Sequence, residues 1–80
     1  MLADALEHLV RGIVGHPDDV RVTERSGRGR GKSLDVRVNP EDMGRVIGRA
    51  GRTATALRTV IGALDRGRPV RIDFVDVTER

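Results

Sequence analysis

Apolar positions recur along this chain with two different periods. From Leu2 to Val14, Leu2, Leu6, Leu9 and Ile13 fall at helical spacing with Ala5 and Val10 beside them, which predicts an amphipathic helix. Gly15 and Pro17 should end it, the first as a left-handed cap and the second as a breaker, with Asp18-Asp19 as a turn. The period then changes to two. Val20-Arg21-Val22-Thr23 and Leu34-Asp35-Val36-Arg37-Val38 alternate and are rich in β-branched residues, so they predict two strands. Between them Ser26 to Ser33 reads SGRGRGKS, a basic loop closing a hairpin.

Helical signals return at Asn39-Pro40-Glu41-Asp42. Asn can cap, Pro suits the first helical position, and two acids favour the positive end of the helix dipole. Met43, Val46 and Ile47 give this helix its apolar face, with Gly44 inside it as a position for close helix packing; Gly48 to Gly51 interrupts it. Arg52 to Leu64 carries Ala54, Leu57, Ile61 and Leu64 on one side of a further helix, ended by Gly67 and Pro69. Ala56, Val60 and Ala63 widen that apolar side to about half the circumference at roughly 100° per residue. Two readings stay open: both sides are buried within the monomer, or one serves self-association. Val70, Ile72 and Phe74 then alternate as a last strand, with Val75 and Val77 pointing the other way. The expected order is α-β-β-α-α-β over residues 1–80, one α+β domain whose three-stranded sheet is covered on one face by helices.

Composition narrows the chemistry. Eighty residues with 38% hydrophobic content make one small domain with a thin core, which association would help. There is no Cys, so disulfides and thiolate metal sites are excluded, in keeping with a reducing cytoplasm. No long apolar run and no basic, apolar leader at Met1-Leu2-Ala3-Asp4 is present, so a soluble, intracellular protein without membrane association is expected. The net charge is +3, but Arg21 to Arg52 holds nine basic and four acidic residues, a local excess of five. Such a surface suits a polyanion, although all of its cations but Lys32 are Arg.

Enzymatic signals are absent. Gly31-Lys32-Ser33 resembles the end of a phosphate-binding P-loop, but the pattern requires Gly where Ser26 stands, and a strand follows instead of a helix. A dinucleotide GxGxxG fails at Lys32 and Leu34. His8 and His16, the only histidines, have no nucleophile or metal partner near them in sequence. Asp18-Asp19 fits turn chemistry and Glu41-Asp42 fits helix-start electrostatics. A non-enzyme with no catalytic residues, no metal and no cofactor is expected.

The candidate site is Val46-Ile47-Gly48-Arg49-Ala50-Gly51-Arg52. Two glycines around two variable residues allow a sharp bend, because Gly accepts positive φ. Without a Cβ at 48 and 51, a sugar-phosphate backbone can approach the main chain. The first N–H groups of the Arg52 helix lack intrahelical partners, and the dipole adds positive potential. Arg45, Arg49 and Arg52 add charge. Phe74 is the only aromatic residue, so a surface that stacks bases on several rings is excluded, and weak sequence specificity follows.

This run resembles the VIGxxG signature of KH domains, and the element order resembles their type II form. The wider GRVIGRAGRTATALRTVI, Gly44 to Ile61, is similar to the KhpA family of small bacterial single-KH-domain RNA-binding proteins, with Arg49 where that family often has Lys. The resemblance implies a clamp on about four nucleotides of single-stranded RNA. It implies that bases lie in an aliphatic groove formed by Val46, Ile47 and a residue of the second strand, Val36 or Val38. It implies that SGRGRGKS, with Arg28, Arg30 and Lys32, forms the opposite jaw. It also implies a homodimer, or a heterodimer with another KH-containing RNA-binding protein, and RNA-chaperone or post-transcriptional work linked to cell growth, division and shape. The rival expectation is a dimerisation adaptor that keeps the fold and binds little RNA.

Overall fold

The computed structural model describes residues 2–25, 32–67 and 70–76. Within them the order is α1 (Leu2–Arg11), β1 (Arg21–Arg25), β2 (Lys32–Val38), α2 (Met43–Ile47), α3 (Arg52–Leu64) and β3 (Val70–Asp76), with 3-10 turns at Pro17–Asp19, Pro40–Asp42 and Arg49–Gly51. Arg28, Arg30, Pro69 and Val77 lie outside the described residues.

The sheet order is β1-β2-β3. β1 and β2 pair antiparallel, with Val22 opposite Val36, as a hairpin requires. β2 and β3 pair parallel, with Leu34 beside Ile72 and Val36 beside Phe74. Parallel neighbours need a crossover, and here α2 and α3 together supply it. Period-two alternation buries Leu34, Val36 and Val38 on one face of β2. On that face they meet Leu2, Leu6 and Val10 of α1, Val46 of α2, Leu57 and Ile61 of α3, and Ile72 of β3. The α+β architecture with helices on one face of a three-stranded sheet matches the expectation.

Several local expectations need correction. The first helix stops at Arg11, not Val14: the Gly12 N–H is shared between the His8 and Leu9 carbonyls and the Ile13 N–H turns back to Val10, a tightened last turn. Its buried stripe is therefore Leu2, Leu6 and Val10, while Leu9 is half-buried and Ile13 is exposed. Gly15 is not a left-handed cap, since positive φ among described glycines occurs at Gly48, Gly51 and Gly67; its N–H is used elsewhere. Lys32 and Ser33 belong to β2, because the parallel ladder with β3 extends to Lys32 opposite Val70. Gly44 does not serve close packing, for a Cβ there would meet nothing within 4 Å. Phe74 is half-buried at the border of the core.

Candidate nucleic-acid interface

The break between α2 and α3 follows from backbone chemistry. Gly48 closes α2, its N–H bonding the Gly44 carbonyl at 2.8 Å, and then takes φ 77°, ψ 171°. The chain turns through Arg49, Ala50 and Gly51, with the Gly51 N–H returning to the Gly48 carbonyl at 3.1 Å. Ala50 and Gly51 are both left-handed, at φ 55° and 75°. For Ala that conformation costs about 1 kcal/mol, and strained non-glycine backbone concentrates where a site needs it.

The two glycines have different neighbours. A Cβ on Gly48 would fall 2.3 Å from Thr53 Oγ1 and 2.8 Å from the Thr53 N, whereas a Cβ on Gly51 would meet nothing within 4 Å. Gly48 is thus packed against the first turn of α3, and Gly51 opens onto free space. Gly51 is also the N-cap residue of α3 and, lacking a side chain, caps nothing. No side chain caps that first turn, whose Arg52 N–H turns back to the Arg49 carbonyl; a helix N-terminus without a side-chain cap is the arrangement that binds phosphate.

Arg45, Arg49, Ala50 and Arg52 are exposed around this bend, and Gly48, Gly51 and Ile47 are half-buried. The structure brings these together. It does not bring Val46 to the surface: its side chain is 0% exposed, as are those of Val36 and Val38. All three face the shared core, because the sheet face that could carry a groove is the one the helices cover. Of the aliphatic residues expected there, Ile47 remains available, with Met43 half-buried on the same helix. Lys32 stands apart. Its Nζ lies 3.7 Å from Asp65 Oδ1, just past the C-terminal end of α3. Thirteen helical residues place that end about 20 Å from the loop at 1.5 Å per residue.

Two features escaped the sequence. Asp42 is 2% exposed and accepts the Gly15 and His16 N–H groups, each at 3.0 Å. His16 Nδ1 stands 3.2 Å from Asp42 Oδ2, and its Nε2 3.4 Å from Glu41 Oε1. Burial alone would raise the Asp42 pKa, but the two N–H groups and the His16 ring outweigh it and hold the carboxyl below its ordinary value. Asn39 caps the Pro40–Asp42 turn as expected, its Oδ1 accepting the Glu41 N–H, and its Nδ2 adds an unexpected tie by donating to Asp19 Oδ2, both at 2.9 Å. These contacts anchor the segment after α1 to the start of α2. Apart from that local cap, the partners are 20 to 27 residues apart, so no local pattern announces them. The second feature is Arg58 on α3, whose Nη2 donates to the Ile72 carbonyl of β3 at 3.2 Å while its guanidinium lies over the Phe74 ring, 6.0 Å from the centroid. Among the described residues, no group of three or more His, Cys, Asp or Glu side chains could hold a metal ion.

Comparison with known proteins gives this geometry a context. A family model described as "KhpA/KhpB, KH domain" matches residues 3–73. The RNA-binding protein KhpA of Leifsonia xyli is 67% identical over 76 residues, covering 95% of this chain and 99% of that protein. The RNA-binding protein KhpA of Streptomyces coelicolor is 65% identical over 77 residues, covering 96% and 95%. The Halalkalibacterium halodurans protein of the same name is 47% identical over 73 residues, covering 89% and 95%. Among solved structures, a variant of Aquifex aeolicus Era bound to GDP and AlF4− superposes with a TM-score of 0.66 at 16% identity, over 94% of this chain and 29% of that one; that likeness concerns the fold.

Proposed function

Because this chain belongs to the KhpA/KhpB KH-domain family, we propose that it binds single-stranded RNA without catalysis, holding the strand at Gly48–Arg52. The observation that carries this reading is the uncapped N-terminus of α3 behind a side-chain-free Gly51, ringed by exposed Arg45, Arg49 and Arg52. A phosphodiester fits there: main-chain N–H groups and the helix dipole meet its charge, and Arg can grip it with two parallel hydrogen bonds. The RNA-binding relatives support the same polymer. The work this serves is RNA chaperoning or post-transcriptional regulation in the cytoplasm, tied to growth, division and cell shape. Among the described residues no helix is long and apolar enough to cross a membrane.

A second reading, a dimerisation adaptor, draws on one observation. Val60 and Leu64 on the outer side of α3 are 46% and 59% exposed. A second copy, or another KH-containing RNA-binding protein, would cover them. The two readings separate in one experiment. Arg49→Asp with Ala50→Asp sets two negative charges against the phosphate while leaving the core untouched, and Asp tolerates the left-handed conformation at position 50 better than most residues. Fluorescence polarisation with short single-stranded RNA should show binding reduced at least tenfold, with the circular dichroism spectrum and melting temperature retained. Unchanged affinity in a folded variant would remove the RNA clamp and leave the adaptor.

A further inference from the structure

We propose that the recess at the far end of α3 is a separate binding site, one that takes a small primary amine in its protonated, alkylammonium form. The recess has a volume of about 600 Å³. Among the described residues it is lined by Leu2 and Ala5 of α1, Glu24 of β1, Lys32 of β2, Leu64 of α3 and Asp65 just past it. Recesses of this size hold small ligands. The thirteen residues of α3 separate it from the glycine loop, about 20 Å at 1.5 Å per residue. The site therefore stands apart from the RNA-binding reading, and the failure of one leaves the other intact.

Three observations set the charge of its ligand. Asp65 closes α3, its N–H bonding the Ile61 and Gly62 carbonyls. A carboxylate there faces the negative pole of the helix, where a cation is the stabilising neighbour. The last turn of α3 holds no basic residue, and Arg66, next in sequence, is exposed. Second, the Asp65 side chain is only 14% exposed, and its Oδ2 is shut from solvent with no hydrogen-bond partner among the described residues. A buried oxygen of this kind lacks a donor. Third, Lys32 Nζ stands 3.7 Å from Asp65 Oδ1, beyond hydrogen-bond length, while Glu24 adds a second negative charge to the lining. The apolar residues decide the kind of cation. Leu2, Ala5 and Leu64, the last 59% exposed, suit a short methylene chain. A metal ion is not served, because among the described residues no group of three or more His, Cys, Asp or Glu side chains could hold one. The ammonium donates to Asp65, whose soft carboxylate torsion turns either oxygen toward it, and it competes with Lys32 for that carboxylate.

The competing explanation is that Asp65 serves only as the ion-pair partner of Lys32, tying β2 to the end of α3. Titration of the full chain with n-butylammonium at constant ionic strength, followed through backbone amide shifts, separates the two. The site predicts saturable shifts at Glu24, Lys32, Leu64 and Asp65 with about millimolar affinity, and none at Gly48 to Thr53. Asp65→Asn should bind about tenfold more weakly, since a charge-assisted hydrogen bond is lost. It should melt no lower than wild type, because it also removes a carboxylate from the negative end of α3. Glu24→Gln, at an exposed strand position, should weaken binding too and carries the test if Asp65→Asn unfolds. Lys32→Gln should bind more tightly, because the competing cation is gone, whereas a mere ion pair predicts no amine binding in any form. The site is overturned by the absence of saturable shifts in wild type, by equal shifts with the neutral 1-butanol, or by weaker binding in Lys32→Gln. Shifts that follow protein concentration instead of amine would put a second copy over Leu64 and overturn it as well. Tighter binding of Nα-acetyl-lysine methylamide than of butylammonium would give the recess to a lysine side chain of another protein and overturn the free amine.

Discussion

Gly48 and Gly51 share a motif but are glycines for different physical reasons. At Gly48 both the positive φ and the Thr53 side chain, into which a Cβ would run, forbid a side chain; at Gly51 only the φ does. Gly51→Ala should therefore cost about 1 kcal/mol, and Gly48→Ala about 2–4 kcal/mol from strain and overpacking together. Equilibrium denaturation of the two variants checks that ordering. Thr53→Ala should rescue Gly48→Ala only in part, since the Thr53 main-chain N is itself 2.8 Å from the added carbon. Asp42 makes a pH prediction. Its folded pKa lies below the ordinary 3.8, so its contribution to stability is complete above that value. It drains away as pH falls through the lowered value. Melting temperature should fall on acidification below pH 4 in the wild type, with a flatter acid limb in Asp42→Asn. That variant should also be less stable at neutral pH, because an amide brings N–H donors toward the Gly15 and His16 N–H groups. No local pattern places Asp42: in sequence it fits helix-start electrostatics, and its partners Gly15 and His16 come from the far side of the β1–β2 hairpin.

At the scale of elements, the α3 bounds Arg52–Leu64 were legible residue for residue, because the left-handed bend at Gly51 starts it and Gly67 follows its end at φ 76°. The β1–β2 hairpin was legible from two alternating runs joined by one loop, whereas the parallel pairing of β2 with β3 was not. Periodicity could not say how far an element packs. Leu64 shares a helical face with Ile61 yet is 59% exposed, and Ile61 is fully buried. Nor could periodicity show that Val36, Val38 and Val46 all turn toward one core, since alternation fixes two faces without saying which one meets the ligand. The distinction between the two sides of α3 has a consequence. Ile61→Asp would bury an unpaired charge and should unfold the domain, so it cannot test association. Val60→Asp lies on the open side: it should leave the melting temperature of the monomer unchanged and, if α3 is the contact between copies, convert dimer to monomer in light scattering. A dimer that survives Val60→Asp would move the contact elsewhere.

For the whole molecule, the charge pattern reads differently once folded. Nine basic residues between Arg21 and Arg52 form an obvious cluster in sequence, but the fold divides it. Arg45, Arg49 and Arg52 surround the bend, Arg25 pairs with Asp35 at 2.7 Å on β1 and β2, and Lys32 faces Asp65 past the far end of α3. Three phosphate contacts give a log–log salt slope of about −2 for single strands, against about −6 if all nine cations engaged. Measuring affinity across salt thus counts the contacts. The most direct measurement maps them: backbone amide shifts in a two-dimensional nitrogen–proton spectrum during titration with a short single-stranded RNA. Gly48 through Thr53 should move first and furthest, with the amides of α1 and β1 undisturbed. Saturable RNA binding that leaves Gly48 through Thr53 in place would contradict the account.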